Sequence, residues 1–146
     1  MQKADGVKNR KIRAIIFDMD NTLFDFVEAK IRACRAVIDY ISIGSEEELL
    51  QYFLSGKYGF EDHRNIAEYM RDKGTYSKEK FEECCKIYEE VKLSSIKPYP
   101  HVRETLEKLK EMGLKLAVVT DACNGNAIDR LQKTKLLHFF DVVVSS

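Results

Sequence analysis

Three short runs of consecutive apolar residues constrain the fold of this chain more than any other feature. Ala14-Ile15-Ile16-Phe17 stops abruptly at charge, Lys115-Leu116-Ala117-Val118-Val119 is a second run, and Val142-Val143-Val144 is a third. Each is too short for a stable helix, and each is apolar on both faces of an extended chain. That pattern predicts buried parallel strands. Ahead of the second run, Val102, Thr105, Leu106, Leu109 and Met112 recur at three–four spacing, and Gly113 stands where a helix C-cap glycine belongs. A further helical stretch, Ala127 to Leu137, joins the second run to the third. Alternating strand and helix predicts an α/β fold with a parallel sheet.

Residues 25–97 read differently, with no convincing strand. Val27, Ile31, Cys34, Ile38 and Ile41 form one helical stripe. Ser45-Glu46-Glu47-Glu48 fits a capping box opening a second helix, with Leu49, Leu50, Phe53 and Leu54 as its apolar face. A third helix is predicted over Asp62 to Arg71, and Phe81, Cys84, Cys85, Tyr88 and Val91 stripe a fourth. Pro98 and Pro100 then disfavour helix and mark the return to the α/β part. The predicted organisation is a flexible N-terminal extension over 1–13, an α/β core from 14–24 and 98–146, and an all-helical insertion over 25–97.

Composition narrows the function. With 24 basic and 24 acidic residues, the chain lacks the basic excess of a general nucleic-acid binder. No run approaches a membrane span, and the polar leader lacks a signal peptide's apolar stretch. Cys34, Cys84, Cys85 and Cys123 form no C-x-x-C pair and have no histidine at zinc spacing. They read as free thiols of a reducing, cytoplasmic compartment. The first three sit on apolar stripes as small core residues. His63, His101 and His138 offer no recognisable base for a thiol nucleophile.

The chemistry concentrates in Asp18-Met19-Asp20-Asn21-Thr22, directly after the first run. Ligands of open parallel sheets bind at the carboxyl ends of strands. Acidic residues also end strands for ordinary reasons of turn formation. Two carboxylates this close, however, repel each other and call for a cation or a proton. Oxygen ligands of this kind suit Mg²⁺, which makes Asp18 and Asp20 candidate metal ligands. The second run also ends in polar residues, Thr120-Asp121, where a hydroxyl and turn amides can hold phosphate oxygens.

These residues resemble the haloacid dehalogenase-like superfamily. Its first motif, an apolar strand followed by D-x-D-x-T, is matched by Asp18, Asp20 and Thr22. Its second, a strand ending in Thr or Ser, is matched by Thr120. The helical insertion looks like the family's cap, and the resemblance runs from about Arg13 onward. It implies a Rossmann-like core and an Mg²⁺-dependent phosphatase acting on a small phosphorylated metabolite. Asp18 would be the nucleophile that forms an aspartyl-phosphate, and Asp20 the general acid and base. Thr120 and the Asp121 amide would hold the phosphoryl group, and Mg²⁺ would sit at Asp18 and the Asp20 carbonyl. Family dehalogenases generally lack a carboxylate where Asp20 stands, which favours the phosphatase branch. A phosphomutase and a non-catalytic relative acting as an interaction protein are the alternatives.

The family's third-motif lysine and fourth-motif acidic ligands follow a third strand, and neither is matched here. Lys133 and Lys135 precede the third run, so neither takes the lysine's place by order. The core is therefore expected to be incomplete in this chain, with Ala14 to Phe17 as an exposed apolar edge. A further segment of roughly 80–100 residues, from the same protein or a companion polypeptide, would complete it. The resemblance gives the cap the choice of substrate, with loops near Gly44, Gly56 to Gly59 and Gly74 as candidates for movement. Lys57, His63 and Arg64 read as solvated surface residues.

Overall fold

The computed structural model describes residues 11–146. The expected N-terminal extension therefore lies almost wholly outside the described residues. In chain order the elements are β1 (Ala14–Phe17), α1 (Phe26–Ile41), α2 (Glu46–Leu54), α3 (Arg64–Asp72), α4 (Lys78–Ser95), α5 (Val102–Glu111), β2 (Lys115–Val119), α6 (Asn124–Lys133) and β3 (Val142–Val144). The sheet is parallel with order β1-β2-β3, and Phe17 pairs with Val118 while Val119 pairs with Val144. The architecture is the expected α/β core with four helices inserted between its first two strands.

Local chemistry fixes the helix ends. Asp25 caps α1 by accepting from the Glu28 amide at 2.9 Å, and Ser45 caps α2 by accepting from the Glu48 amide at 3.2 Å. Ser77 does the same for α4 through the Lys80 amide. Each cap satisfies one of the amides that a helix start leaves without a partner. The last helix ends earlier than its apolar spacing predicts. Lys135 takes a left-handed φ of 58°, and the Leu136 amide reaches back to the Leu131 carbonyl, which closes α6. Leu137–Phe139 then forms a separate 3-10 turn.

Two apolar clusters result. One joins the sheet to α5 and α6 through Leu106, Leu116, Val118, Ala127 and Leu131, and it includes Phe26 and Ala29 from the start of α1. The other lies among α1–α4 around Cys34, Val37, Leu49, Phe53, Ile66, Met70 and Tyr88. Helix α1 thus runs through both. Its buried face is rotated from the predicted stripe: Lys30 is fully buried, while Val27 is exposed.

The strands are parallel as expected but are not buried on both faces. Ile15, Phe17, Leu116, Val118 and Val143 face the core, whereas Ile16 is 68% exposed and Val142 is 53% exposed. The cause is topological. Parallel crossovers are right-handed, so two successive steps in one direction put α5 and α6 on the same face. The other face has no helix over it among the described residues, and β1 has one strand partner, β2.

Candidate active site

The parallel register brings the carboxyl ends of β1 and β2 to one edge, so Asp18 and Thr120 both leave the sheet there. A tight turn follows β1, in which the Met19 carbonyl accepts from the amides of Thr22 and Leu23. Met19 is fully buried and anchors the turn between the two carboxylates. Asp18 is exposed, and the Thr22 hydroxyl donates to its Oδ2 at 3.2 Å. That contact engages one of the two carboxylate oxygens.

Asn21 adopts a left-handed φ of 58°, and its Oδ1 accepts from the Phe26 and Val27 amides at 2.9 and 3.1 Å. Its role is structural: it stitches the carboxylate turn to the start of α1. A second crossing lies beside it. The Tyr99 amide donates to the Leu23 carbonyl, and the Asp25 amide donates to the Lys97 carbonyl. The inserted helices leave and rejoin the core through these two paired connecting segments.

Asp20 is the most constrained carboxylate. Arg130 Nη1 on α6 donates to its Oδ2 at 2.9 Å. Oδ1 is buried without a hydrogen-bond partner among the described residues. Burial pushes the Asp20 carboxyl up; Arg130 opposes this, while Glu61 and Asp18 add to it, and the outcome is about 6. A carboxyl group so placed can hold a proton and release it near neutral pH.

Arg130 is itself buried, stacked 4.1 Å from the Phe26 ring centroid. Its other terminal nitrogen pairs with Glu61, on the loop between α2 and α3. Glu61 also accepts from the buried Lys92 at 3.3 Å. Burial raises the Glu61 carboxyl, but the charges of Arg130 and Lys92 outweigh it and hold the group below its usual range. Lys92 continues the chain to Glu89 at 3.0 Å, and Glu89 meets His63 at 2.7 Å. Nearby, Lys30 Nζ donates to the Phe60 carbonyl and lies 3.6 Å from the Phe60 ring centroid. The desolvated ammonium is pushed down to about 7.

A cleft of about 330 Å³ opens beside Asp20, lined by Asn21, Phe26, Phe60, Glu61, Asp121 and Ala122. Of the residues expected from sequence, it gathers Asp20 and Asp121. Asp18 and Thr120 stand at the same sheet edge but are not among its lining residues. Thr120 is nearly buried; its Oγ1 accepts from the Ala122 amide at 3.2 Å, and its own amide donates to the Val144 carbonyl. Lys57, His63 and Arg64 are engaged with Glu68, Glu89 and Asp62 respectively. Cys34 and Cys84 are buried as expected, Cys85 is only half-buried at the side of the α4 stripe, and Cys123 is exposed at the start of α6.

Sequence reasoning missed Glu61, Lys30 and Arg130. A signal existed for the two cations. Arg130 shares a three–four stripe with Ala127, Leu131 and Thr134, and Lys30 shares one with Phe26, Ala33 and Val37. A charged side chain at core spacing needs a partner, because an isolated buried charge is costly. No group of three or more His, Cys, Asp or Glu side chains is arranged to hold a metal among the described residues. The two oxygens the sequence nominates, the Asp18 carboxylate and the Asp20 carbonyl, are hard donors that fit Mg²⁺, an ion that keeps several waters. No helix among the described residues is long and apolar enough to cross a membrane.

The chain is 33% identical over 144 residues to a glyceraldehyde 3-phosphate phosphatase of Methanopyrus kandleri, covering 92% of this chain and 62% of that protein. It is 29% identical over 153 residues to the enzyme of the same name from Methanocaldococcus jannaschii, with the same coverage of each. The crystal structure of a candidate beta-phosphoglucomutase from Thermotoga maritima superposes with a TM-score of 0.77 at 27% identity, covering 92% of this chain and 61% of the other. The chain thus spans about three-fifths of the length of these relatives. The family model for haloacid dehalogenase-like hydrolases matches residues 15–146, nearly the whole of the described structure, and the chain belongs to that family.

Proposed function

We propose that this chain carries the nucleophile and the general acid/base of an Mg²⁺-dependent phosphatase acting on a small phosphate monoester. The observation that carries the reading is Asp20: a carboxyl group at a sheet's carboxyl edge, raised to about 6, with one buried oxygen unpartnered beside a cleft. Two relatives named as phosphatases of a three-carbon phosphate ester support the substrate class.

Asp18 attacks phosphorus, forming the Asp18–phosphorus bond as the ester oxygen departs. Asp20 gives its proton to that oxygen. The Asp20 carboxylate then takes a proton from water, whose oxygen attacks phosphorus and releases Asp18. Thr120 and the Asp121 amide hold the phosphoryl oxygens. Asp18 and the Asp20 carbonyl would hold Mg²⁺, which supplies neutralisation of the charge between an anionic nucleophile and an anionic ester. The division into core (14–24 and 98–146) and helical cap (25–97) is part of this reading, with the cap providing Phe60 and Glu61 to the cleft. So is a further segment, from the same protein or a companion polypeptide, pairing with the free edge of β1 and adding the remaining cationic and acidic groups. The β1 edge, which has no second strand partner among the described residues, and the coverage of three-fifths of the relatives support it.

The test is intact mass of the protein purified from its source, together with Mg²⁺-dependent hydrolysis of glyceraldehyde 3-phosphate and of an aryl phosphate. Turnover that falls about 10²–10⁴-fold in Asp20→Asn supports the reading. A slowly hydrolysed phospho-protein points to a mutase instead. No turnover by the intact assembly points to a non-catalytic relative.

A further inference from the structure

We propose that Arg130 is a positioning residue that locks the Asp20 carboxylate to the inserted helices by sharing one guanidinium between Asp20 and Glu61. The inference rests on the phosphatase reading for its consequence in catalysis, but not for the lock itself. Asp20 lies on the turn after β1, Arg130 on α6, and Glu61 on the loop between α2 and α3. The two acids are contributed by the core and by the insertion, and the guanidinium bonds both.

Both ends of this bridge are fixed. Arg130 is 2% exposed and rests on Phe26, so it cannot swing into solvent without leaving a buried site. Glu61 is held on its other side by Lys92, which is equally buried. The preceding residue, Phe60, is pinned through its carbonyl by Lys30. The loop that carries Phe60 and Glu61 over the cleft is therefore moored from within the insertion by two buried lysines and to the core by Arg130. A planar guanidinium suits this double duty, because its donors point in fixed directions toward two carboxylates.

The bridge also fixes how the Asp20 carboxylate lies. Arg130 holds Oδ2, while Oδ1 is buried with no hydrogen-bond partner among the described residues. When the insertion sits as in this structure, Asp20 is held in one orientation. When it moves away, Glu61 leaves, Arg130 loses half of its neutralisation, and the aim of Asp20 loosens.

The experiment is a variant cycle on the full chain: Glu61→Gln, Arg130→Gln, Arg130→Lys and the Glu61→Gln/Arg130→Gln double variant. Amide hydrogen exchange is read over residues 58–63 and, as a control, over α5. The lock predicts faster exchange over 58–63 in both single Gln variants, no further rise in the double variant, and unchanged α5. Wild-type exchange in Glu61→Gln, or effects of the two changes that multiply, overturns it. A rise spread equally over α5 also overturns it, since that is a loss of overall stability. If Arg130→Gln does not fold, Glu61→Gln decides the matter, because it removes one partly exposed charge and leaves Arg130 paired with Asp20.

The consequence for catalysis is read on the phosphatase assembly. Arg130→Gln lowers kcat about 10²-fold, as expected of a misaimed catalytic group, with KM little changed and part of the loss regained in Arg130→Lys. A KM that rises while kcat holds, or no rescue by Lys, overturns the positioning role. An assembly with no wild-type turnover overturns the phosphatase reading, and the exchange cycle still decides the lock.

Discussion

At the scale of single residues, the informative side chains are those whose charge is held where water is scarce. Asp18 and Asp20 stand out as a candidate pair from their spacing after an apolar strand, and the roles proposed for them come from the family resemblance. Lys30 and Arg130 are harder to find, since periodicity analysis counts apolar positions and passes over cations that occupy them. Lys30 gives a test of this environment. Its ammonium is pushed down to about 7 in the fold from an ordinary value of 10.5, so the unfolded chain binds more protons between those limits. Stability then rises with pH through that window. Burial raises the Cys34 thiol to about 12 and those of Cys84 and Cys85 to about 11, each from 9.0, which opposes the trend above about pH 9. The clear interval is pH 7 to 9. Denaturant titrations across it should show stability increasing in the wild type and staying flat in Lys30→Met. A slope retained in Lys30→Met would assign it to another group.

At the scale of elements, caps and turns account for most of what could be read in advance. The Ser45 cap, the C-cap glycine after α5 and the proline-marked return to the core all set boundaries through local chemistry, although the expected capping box closes only in part, since the Ser45 amide donates to the Tyr69 hydroxyl and not to Glu48. The end of α6 could not be read this way. Its apolar spacing runs on to Leu137, and only the left-handed turn at Lys135 stops it. Two substitutions probe the start of α2. Ser45→Ala removes the acceptor of the Glu48 amide and should cost about 1 kcal/mol by chemical denaturation. Gly44→Ala should cost more, roughly 1–3 kcal/mol. Gly44 sits at φ +84°, and a Cβ there would overlap the Tyr69 hydroxyl, which accepts from the Ser45 amide and donates to Glu48. A Gly44→Ala variant as stable as the wild type would contradict the close packing of Tyr69 on this turn.

At the scale of the whole molecule, the sheet is covered on one face and, among the described residues, open on the other. The continuous apolar runs led to an expectation of strands buried on both faces. Composition cannot say which layer is present, and crossover handedness decides it. The uncovered face carries Ile16, Val119, Val142 and Val144 beside the free edge of β1, an arrangement prone to edge-to-edge association. Sedimentation velocity on the isolated chain should show concentration-dependent association that Ile16→Lys reduces. A monomer at all concentrations with Ile16 intact would contradict that expectation. The candidate site follows the same division: the Asp18 and Asp20 pair stood out in the sequence, whereas Glu61 and the pairing of Arg130 with Asp20 and Glu61, 110 and 69 residues away, appear only once the helices pack.

The most direct test of the central claim is phosphate release from a small phosphate monoester by the intact assembly, with and without Mg²⁺, in the wild type and in Asp18→Asn. The account predicts Mg²⁺-dependent turnover that falls at least about 10³-fold when the nucleophile is neutralised. Turnover that persists in Asp18→Asn, or that is indifferent to Mg²⁺, would contradict it.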